Sequence, residues 1–391
     1  MRVIEKIEKV ENKRGRNHEL ALFRSWLDEK CPRHKELKNI QIAGTNGKGS
    51  TSQWLMMFLK ENGKRVGVFT SPHLISHTER IRINEENISL EDWERIYDVY
   101  SDFFEEKEMT MFEIDLWMAV VYFVEQKVDY CVFEVGMGGQ RDATTSLDYL
   151  VTAITNIGLD HQEYLGNTVE EIAQTKAGIF KKGVPALTSE RKNSCVQVME
   201  QQAQKAMTSF IVAHGESIQK DILYFVWKGK EYPFPQAKYQ VDNLALALSI
   251  LEILKEPAIN IEEILSGFMW EGRCMLLQEN PKRIVDGGHN PHGIRALVDS
   301  LPDFRGKIYF SVLKEKDAKE MLKMLEELCS PITLVHFDSY RLYPLEQLGY
   351  PIIDMEEMFK RLKEEKEDCL LCGSLYFVGD VLKHYKGESH V

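Results

Sequence analysis

Residues 43–54, AGTNGKGSTSQW, decide how the rest of the chain is read. They follow a short β-rich run, Asn39–Ala43 (NIQIA), and precede a helical pattern over residues 50–62. A glycine-rich turn there lets backbone approach a ligand closely. The first N–H groups of the helix, at the positive end of its dipole, suit phosphate. Lys48 adds a cation, and Ser50 or Thr51 adds a hydroxyl. The common phosphate loop reads G-x-x-x-x-G-K-[ST]. Here Gly49 follows Lys48, and Ile42 stands where the first glycine belongs. Taken alone, the stretch is either a nucleotide site with altered spacing or a tight turn carrying a solvated lysine. Its place between strand and helix favours phosphate.

Outward from this loop, short β-rich runs alternate with longer helical patterns, which implies βαβ units and a mostly parallel sheet. Strands are expected over residues 65–69, 130–135, 149–155 and 184–187, and a hairpin within 221–234. Helices are expected over 90–104, 112–126, 168–178, 237–254 and 261–268. Asn280-Pro281 interrupts the pattern, and strands and helices then resume to the C-terminus. The expected architecture is α/β with two domains. A large P-loop-containing domain with a mostly parallel sheet covers residues 1–279, and a smaller Rossmann-like α/β domain covers 280–391.

The length of 391 residues suits two or three domains, and 43% hydrophobic residues suffice for a packed core. A net charge of −12 argues against general nucleic-acid or anionic-membrane binding, while leaving room for a local anion pocket. The sequence has no apolar run long enough to span a bilayer, and MRVIEKIEKVENKRGR lacks an apolar signal core. The seven cysteines, an odd number in a long chain, argue for a reducing compartment, so a cytoplasmic location is expected. Cys369-Leu-Leu-Cys372 has no second pair for zinc and reads as buried strand cysteines.

In an open parallel sheet, ligands lie beyond the C-terminal ends of the strands. Ser71, Glu134 and His161 each follow or end an expected strand, so they converge beside the phosphate loop. Mg²⁺ takes oxygen ligands and keeps several waters, and a histidine ligand points to Mn²⁺ tolerance. Singly, each residue has a plain alternative: a turn before Pro72, a solvated strand-end acid, a loop cap. Gly136-Met137-Gly138-Gly139 is either backbone held near a ligand or a flexible loop. The acids of Phe112-Glu113-Ile114-Asp115 suit a solvated first helical turn, and Lys176 suits a helix C-terminus. Residues 286–293, DGGHNPHG, crowd Gly, His and Asn into one strand-to-helix turn and signal a ligand without naming it.

Together, IAGTNGKGSTS, TSPHL, TERIRIN, EVGMGG, DAT, LDHQEYLG, KAGIF and DGGHNPHG occur in the order found in folylpolyglutamate synthases. The chain resembles that family, which includes bifunctional dihydrofolate synthases and belongs to the wider Mur ligase group. The resemblance runs from residue 40 to residue 379. It implies an ATP-dependent ligase that adds L-glutamate to folate, and to dihydropteroate in bifunctional members, through an acyl phosphate. By resemblance, Gly47, Lys48, Gly49 and Ser50 hold the ATP phosphates, with Lys48 at the β/γ end. Ser71 and Glu134 match the ligands of one Mg²⁺, and His161 matches a ligand of a second. Lys176 matches a lysine that CO₂ carbamylates. Asn243, Arg273 and Asp286 match nucleotide contacts, and His289 faces the reaction centre. Phe112, Glu113, Ile114, Asp115, Arg141, Asp142 and Ala143 match pterin-binding positions. The chain departs from many relatives at Leu116, Gln140, Arg141 and Thr145. The implied partners are small molecules, with a monomeric chain. The competing readings are a Mur-type ligase with another carboxylate acceptor and a nucleotide-binding protein without ligation.

Overall fold

The computed structural model describes residues 2–13, 15, 17–328 and 330–387. Cys329 lies outside the described residues. The chain forms two compact units. One comprises the residues up to Phe234 together with Val241–Ser266, and the other Pro235–Gln240 and the residues from Gly267 onward.

The first unit is built on eight strands: β1 Asn39–Ala43, β2 Val66–Phe69, β3 Ile81–Ile83, β4 Glu86–Asn87, β5 Tyr130–Glu134, β6 Val151–Ile154, β7 Ala186–Thr188 and β8 Phe210–Val212. Their order is β4-β3-β2-β5-β1-β6-β7-β8. The core strands are buried on both faces, as a parallel sheet covered by helices requires, with Asn39 and Gln41 of β1 set among mainly apolar residues. β1 pairs in parallel with β5 on one side and β6 on the other. After β1 the chain builds one flank of the sheet, and after β5 it builds the other. The strand order therefore reverses at β1, so a crevice opens beyond its C-terminal end, where the phosphate loop sits.

Beside this sheet stands Met111–Glu125, an almost wholly apolar helix buried from Glu113 to Phe123. It packs into a core with Trp93, Phe104 and Phe133. A second apolar cluster joins Ala43, Ile154 and Ile172 to Cys195 and Met199. A separate antiparallel ribbon comprises β9 Glu216–Gln219, β10 Leu223–Trp227 and β11 Lys230–Pro233. The hairpin expected within 221–234 is its β10–β11 pair. The helices Val3–Glu11, Leu20–Lys30 and Asn193–Lys205 were not anticipated.

The second unit has six strands: β12 Met275–Glu279, β13 Lys282–Asp286, β14 Lys307–Phe310, β15 Ile332–His336, β16 Ile352–Asp354 and β17 Cys369–Cys372. Their order is β12-β13-β17-β14-β15-β16, parallel except for the β12–β13 hairpin. Its core is its own, with Ile294, Leu297, Phe310, Leu322, Leu334 and Leu370. A boundary at 279/280 would cut the β12–β13 hairpin, whose partners belong to one sheet. The compact units instead divide at Ser266/Gly267. Cys369 and Cys372 are completely buried in β17, as their apolar run implied, and burial pushes the Cys372 thiol well above its ordinary range. The six described cysteines are free thiols. No helix among the described residues is long and apolar enough to cross a membrane.

Candidate active site around the phosphate loop

The helix Lys48–Glu61 starts at Gly47, whose φ of 84° lies in the left-handed region that glycine tolerates. A Cβ on Gly47 would overlap the side-chain amide of Asn243, so that amide lies directly against the loop. The loop is also stitched to the segment that follows β6. Thr45 N donates to Asn156 O at 2.8 Å, and Asn46 N donates to Asn156 Oδ1 at 3.0 Å. Thr45 Oγ1 donates to Gly158 O at 3.2 Å and lies 2.9 Å from Gly158 N. Thr155 Oγ1 donates to Asn46 O at 2.5 Å. Behind this segment, the buried Glu190 carboxylate accepts from Ile157 N and Lys192 N.

Lys48 Nζ lies 3.3 Å from both Gly44 O and Thr45 O, and 3.7 Å from Glu134 Oε1. Glu134 ends β5, is almost fully buried, and accepts from Ser71 N at 3.3 Å through Oε2. Lys176, at the last turn of the helix Val169–Ala177, reaches the loop from another side. Its Nζ donates to Gly44 O at 2.9 Å, so both lysines share one carbonyl. Burial, followed by the charge of Lys48, pulls the Lys176 pKa down to about 7, against Asp160 and Asp142. A surface dipole partner would not be buried in this way.

His161 has a left-handed φ of 50° and stands at the start of the short helix Gln162–Leu165. Its backbone N donates to Asp160 Oδ1 at 2.9 Å, and its ring is about half exposed, with Nε2 3.9 Å from the same oxygen. Ser71, Glu134 and Lys48 are thus brought together, and His161 rides on the segment stitched to the phosphate loop. A buried carboxylate at a strand end with a serine beside it is an oxygen-donor set that fits a hard divalent cation.

The residues expected at the pterin divide into two groups. Phe112 keeps its ring partly open, edge-on to Phe69 with centroids 5.4 Å apart, and Arg141 is exposed. The other five have side chains engaged in the fold. Glu113 is fully buried and forms a capping box with Thr110, while also accepting from His18 N at 2.6 Å. Asp115 is fully buried between His77 and Arg80. Ile114 and Ala143 are core residues. Asp142 accepts from Gly136 N, Met137 N and Thr144 N, which staples the Gly136–Gly139 loop, and burial raises its pKa. The plain reading of Glu113 and Asp115 as acids of a solvated first turn is corrected: helix Met111–Glu125 turns them inward. Two of the departures lie in the interior as well. Leu116 is core, and Thr145 Oγ1 donates to Gly139 O and accepts from Gln41.

In the second unit, Asp286 ends β13, is buried, and accepts from Tyr239 Oη at 2.8 Å, Cys274 N at 2.7 Å and Gly288 N at 2.7 Å. Burial raises its pKa, which Arg273 opposes. A Cβ on Gly287 would stand 2.6 Å from the Arg273 guanidinium, so Arg273 lies against the same turn. His289 Nδ1 lies 3.0 Å from Gly287 O, and Asn290 caps the helix Pro291–Ser300 through Gly293 N. The sequence reading missed Thr45, Asn156, Glu190 and Tyr239. The crowding of Thr155 and Asn156 at the end of β6 was the available signal.

The pattern of the Mur ligase middle domain matches residues 42–248, from β1 through the helix that carries Asn243. A dihydrofolate synthase/folylpolyglutamate synthase of Bacillus subtilis (strain 168) is 34% identical over 396 residues, covering 90% of this chain and 91% of its own. The chain belongs to the folylpolyglutamate synthase/dihydrofolate synthase family. Solved structures of the family agree over the whole fold. A bifunctional folylpolyglutamate synthase/dihydrofolate synthase with Mn, AMPPNP and L-glutamate bound superposes with a TM-score of 0.88 at 28% identity, over 99% of this chain and 98% of that one. E. coli FolC in complex with DHPP and ADP gives a TM-score of 0.88 at 25% identity, over 99% and 98%. The family is one of ATP-dependent ligases.

Proposed function

We propose that this chain joins L-glutamate to a folate, and to dihydropteroate, using ATP. The observation that carries this reading is the meeting of Lys48, Glu134, Ser71 and Lys176 at a phosphate loop on the strand-order reversal of a family member's sheet. Relatives with AMPPNP, Mn, L-glutamate, ADP and DHPP bound support the same substrate set.

A substrate carboxylate attacks the γ-phosphate of ATP, forming an acyl phosphate and ADP. The glutamate amine then attacks the acyl carbon and inorganic phosphate leaves. Phosphoryl transfer rests mainly on positioning and charge neutralisation. Gly47, Lys48, Gly49 and Ser50 hold the phosphates, and Lys48 leaves its loop carbonyls to face the β/γ end. Ser71, Glu134 and His161 would hold Mg²⁺ ions, which supply further neutralisation of the transferring group. Asn243, against Gly47, contacts the nucleotide, and Arg273, Asp286 and His289 take the nucleotide and reaction-centre roles of their family positions. Phe112 and Arg141 contact the pteroyl group. Lys176 carries a carbamate: its neutral amine attacks CO₂, loses a proton and becomes an anion. Free thiols in every described cysteine suit a reducing compartment, the cytoplasm.

The test is a product assay by mass, offering dihydropteroate and tetrahydrofolate in parallel with ATP and L-glutamate. The expected product in each arm is one glutamyl residue heavier than its substrate. ATP turnover with no glutamate-linked product in either arm would overturn the reading.

A further inference from the structure

The helix Val3–Glu11 meets the segment after β2 at a cluster of imidazoles and carboxylates. His77 Nδ1 lies 3.1 Å from Glu11 Oε1, and His73 Nε2 lies 3.6 Å from the same oxygen. One donor atom from each of the three residues lies within 4.8 Å of the other two. The opposite nitrogen of His77, Nε2, is 2.6 Å from Oδ1 of the fully buried Asp115.

We propose that Glu11, His73 and His77 bind one zinc-class divalent cation, with Asp115 orienting His77. Ligands of tetrahedral zinc at ordinary bond lengths stand about 3.4 Å apart, close to the separations of Glu11 from the two histidines. Two imidazole nitrogens and one carboxylate oxygen, with a fourth position for water, form a zinc donor set. A carboxylate on the far nitrogen of a ligating histidine fixes its ring and raises its basicity. The edge of Trp93, 6.0 Å from His77 between centroids, holds the ring from another side. His77 is almost fully buried, while Glu11 and His73 are partly open and give access from solvent.

Arg80 is the group that must adjust. Its Nε lies 3.0 Å from His73 Nδ1, and its Nη1 lies 3.2 Å from Asp115 Oδ2. With the cation on Nε2, His73 carries its proton on Nδ1, so Arg80 leaves that nitrogen and keeps Asp115. Any proton that His77 holds on Nδ1 toward Glu11 passes to solvent. Two carboxylates face one guanidinium and the two imidazoles before the cation enters. The bound cation would fasten Val3–Glu11 to the 73–77 segment. These nitrogen donors differ in kind from the oxygen-rich set of Ser71 and Glu134.

The experiment uses the full chain without nucleotide, equilibrated with zinc in excess Mg²⁺ and dialysed against Mg²⁺. Metal content is then read by mass spectrometry and, with cobalt in place of zinc, by visible absorption. One zinc per chain, a tetrahedral cobalt spectrum and a zinc-dependent rise in melting temperature are expected. Glu11→Ala should weaken zinc binding by about tenfold or more and leave the ligation rate in excess Mg²⁺ unchanged. His73→Ala should abolish the cobalt spectrum. No zinc retained by the native chain would overturn the proposal and leave the cluster as an ion-pair pin. Unchanged zinc affinity in folded Glu11→Ala and His73→Ala would overturn it equally.

Discussion

Lys48 and Lys176 point at the same carbonyl of Gly44, yet their surroundings set them different tasks. Lys48 opens the helix after the loop, its side chain largely buried and its ammonium held by two loop carbonyls and Glu134 at 3.3–3.7 Å. Lys48→Ala is expected to lower kcat by roughly 10²–10³ with little change in melting temperature, a pairing that steady-state kinetics and thermal melts check together. Lys176 is buried, and its pKa of about 7 leaves much of the amine neutral at physiological pH. The sign follows from that value: CO₂ reacts with the neutral amine, and acidification through about 7 protonates it. Bicarbonate-stimulated ligation should therefore fall between pH 8 and pH 6, and Lys176→Ala should be inactive but partly rescued by a short carboxylic acid. A rate indifferent to bicarbonate at every pH would count against the carbamate. Lys48, Ser71 and Glu134 were legible because strand-loop-helix order alone brings them to one edge. Lys176 was not, because a lysine near a helix end looks like a dipole partner until tertiary packing buries it. Glu113 and Asp115 misled for the converse reason: spacing marks a helix start but not which face turns inward.

At the scale of elements, the phosphate loop is fixed less by its own glycines than by the segment after β6. Thr45→Val removes a hydroxyl that bridges to Gly158 in both directions. It should cost about 1–3 kcal/mol of stability and raise the KM for ATP more than that for the pteroyl substrate, as denaturation and kinetics would show. Gly136 faces Phe112 so closely that a Cβ would stand 2.6 Å from the ring. Gly136→Ala should displace the ring and raise the pteroyl KM while leaving the KM for ATP near its native value. Equal effects on both substrates would argue against a pterin role for Phe112. Long periodic elements such as Leu90–Glu106 and Met111–Glu125 were legible to within a residue or two. The strands β3, β4 and β8, of three, two and three residues, were not, because so short a run carries no period. The N-terminal helix escaped notice because its charged residues outweigh the apolar stripe of Ile4, Ile7 and Val10.

At the scale of the whole molecule, each unit has apolar clusters of its own, two in the first and one in the second. Leu370, fully buried at the centre of the second sheet, tests their separateness. Leu370→Ala should cost about 2–5 kcal/mol, and hydrogen exchange should quicken in β13, β14 and β17 while β1 and β5 keep their protection. The α/β class and the two-unit plan were legible from alternation alone. The division point was not, because Asn280-Pro281, which looks like a linker, is the turn of a hairpin whose first strand joins the second sheet only through β13.

The margins of the two large sheets have a consequence for how the chain behaves among its neighbours. An open sheet offers its outermost strand as a template for a strand from another molecule. Here the first sheet closes on one side with the two exposed residues Glu86–Asn87, and on the other with the three residues Phe210–Val212. The second closes with Ile352–Asp354 and with Met275–Glu279, whose register breaks between Leu276 and Gln278. Each margin is too brief, too charged or too irregular to recruit a long intruding strand, which guards a crowded, newly made chain against sticking edge to edge.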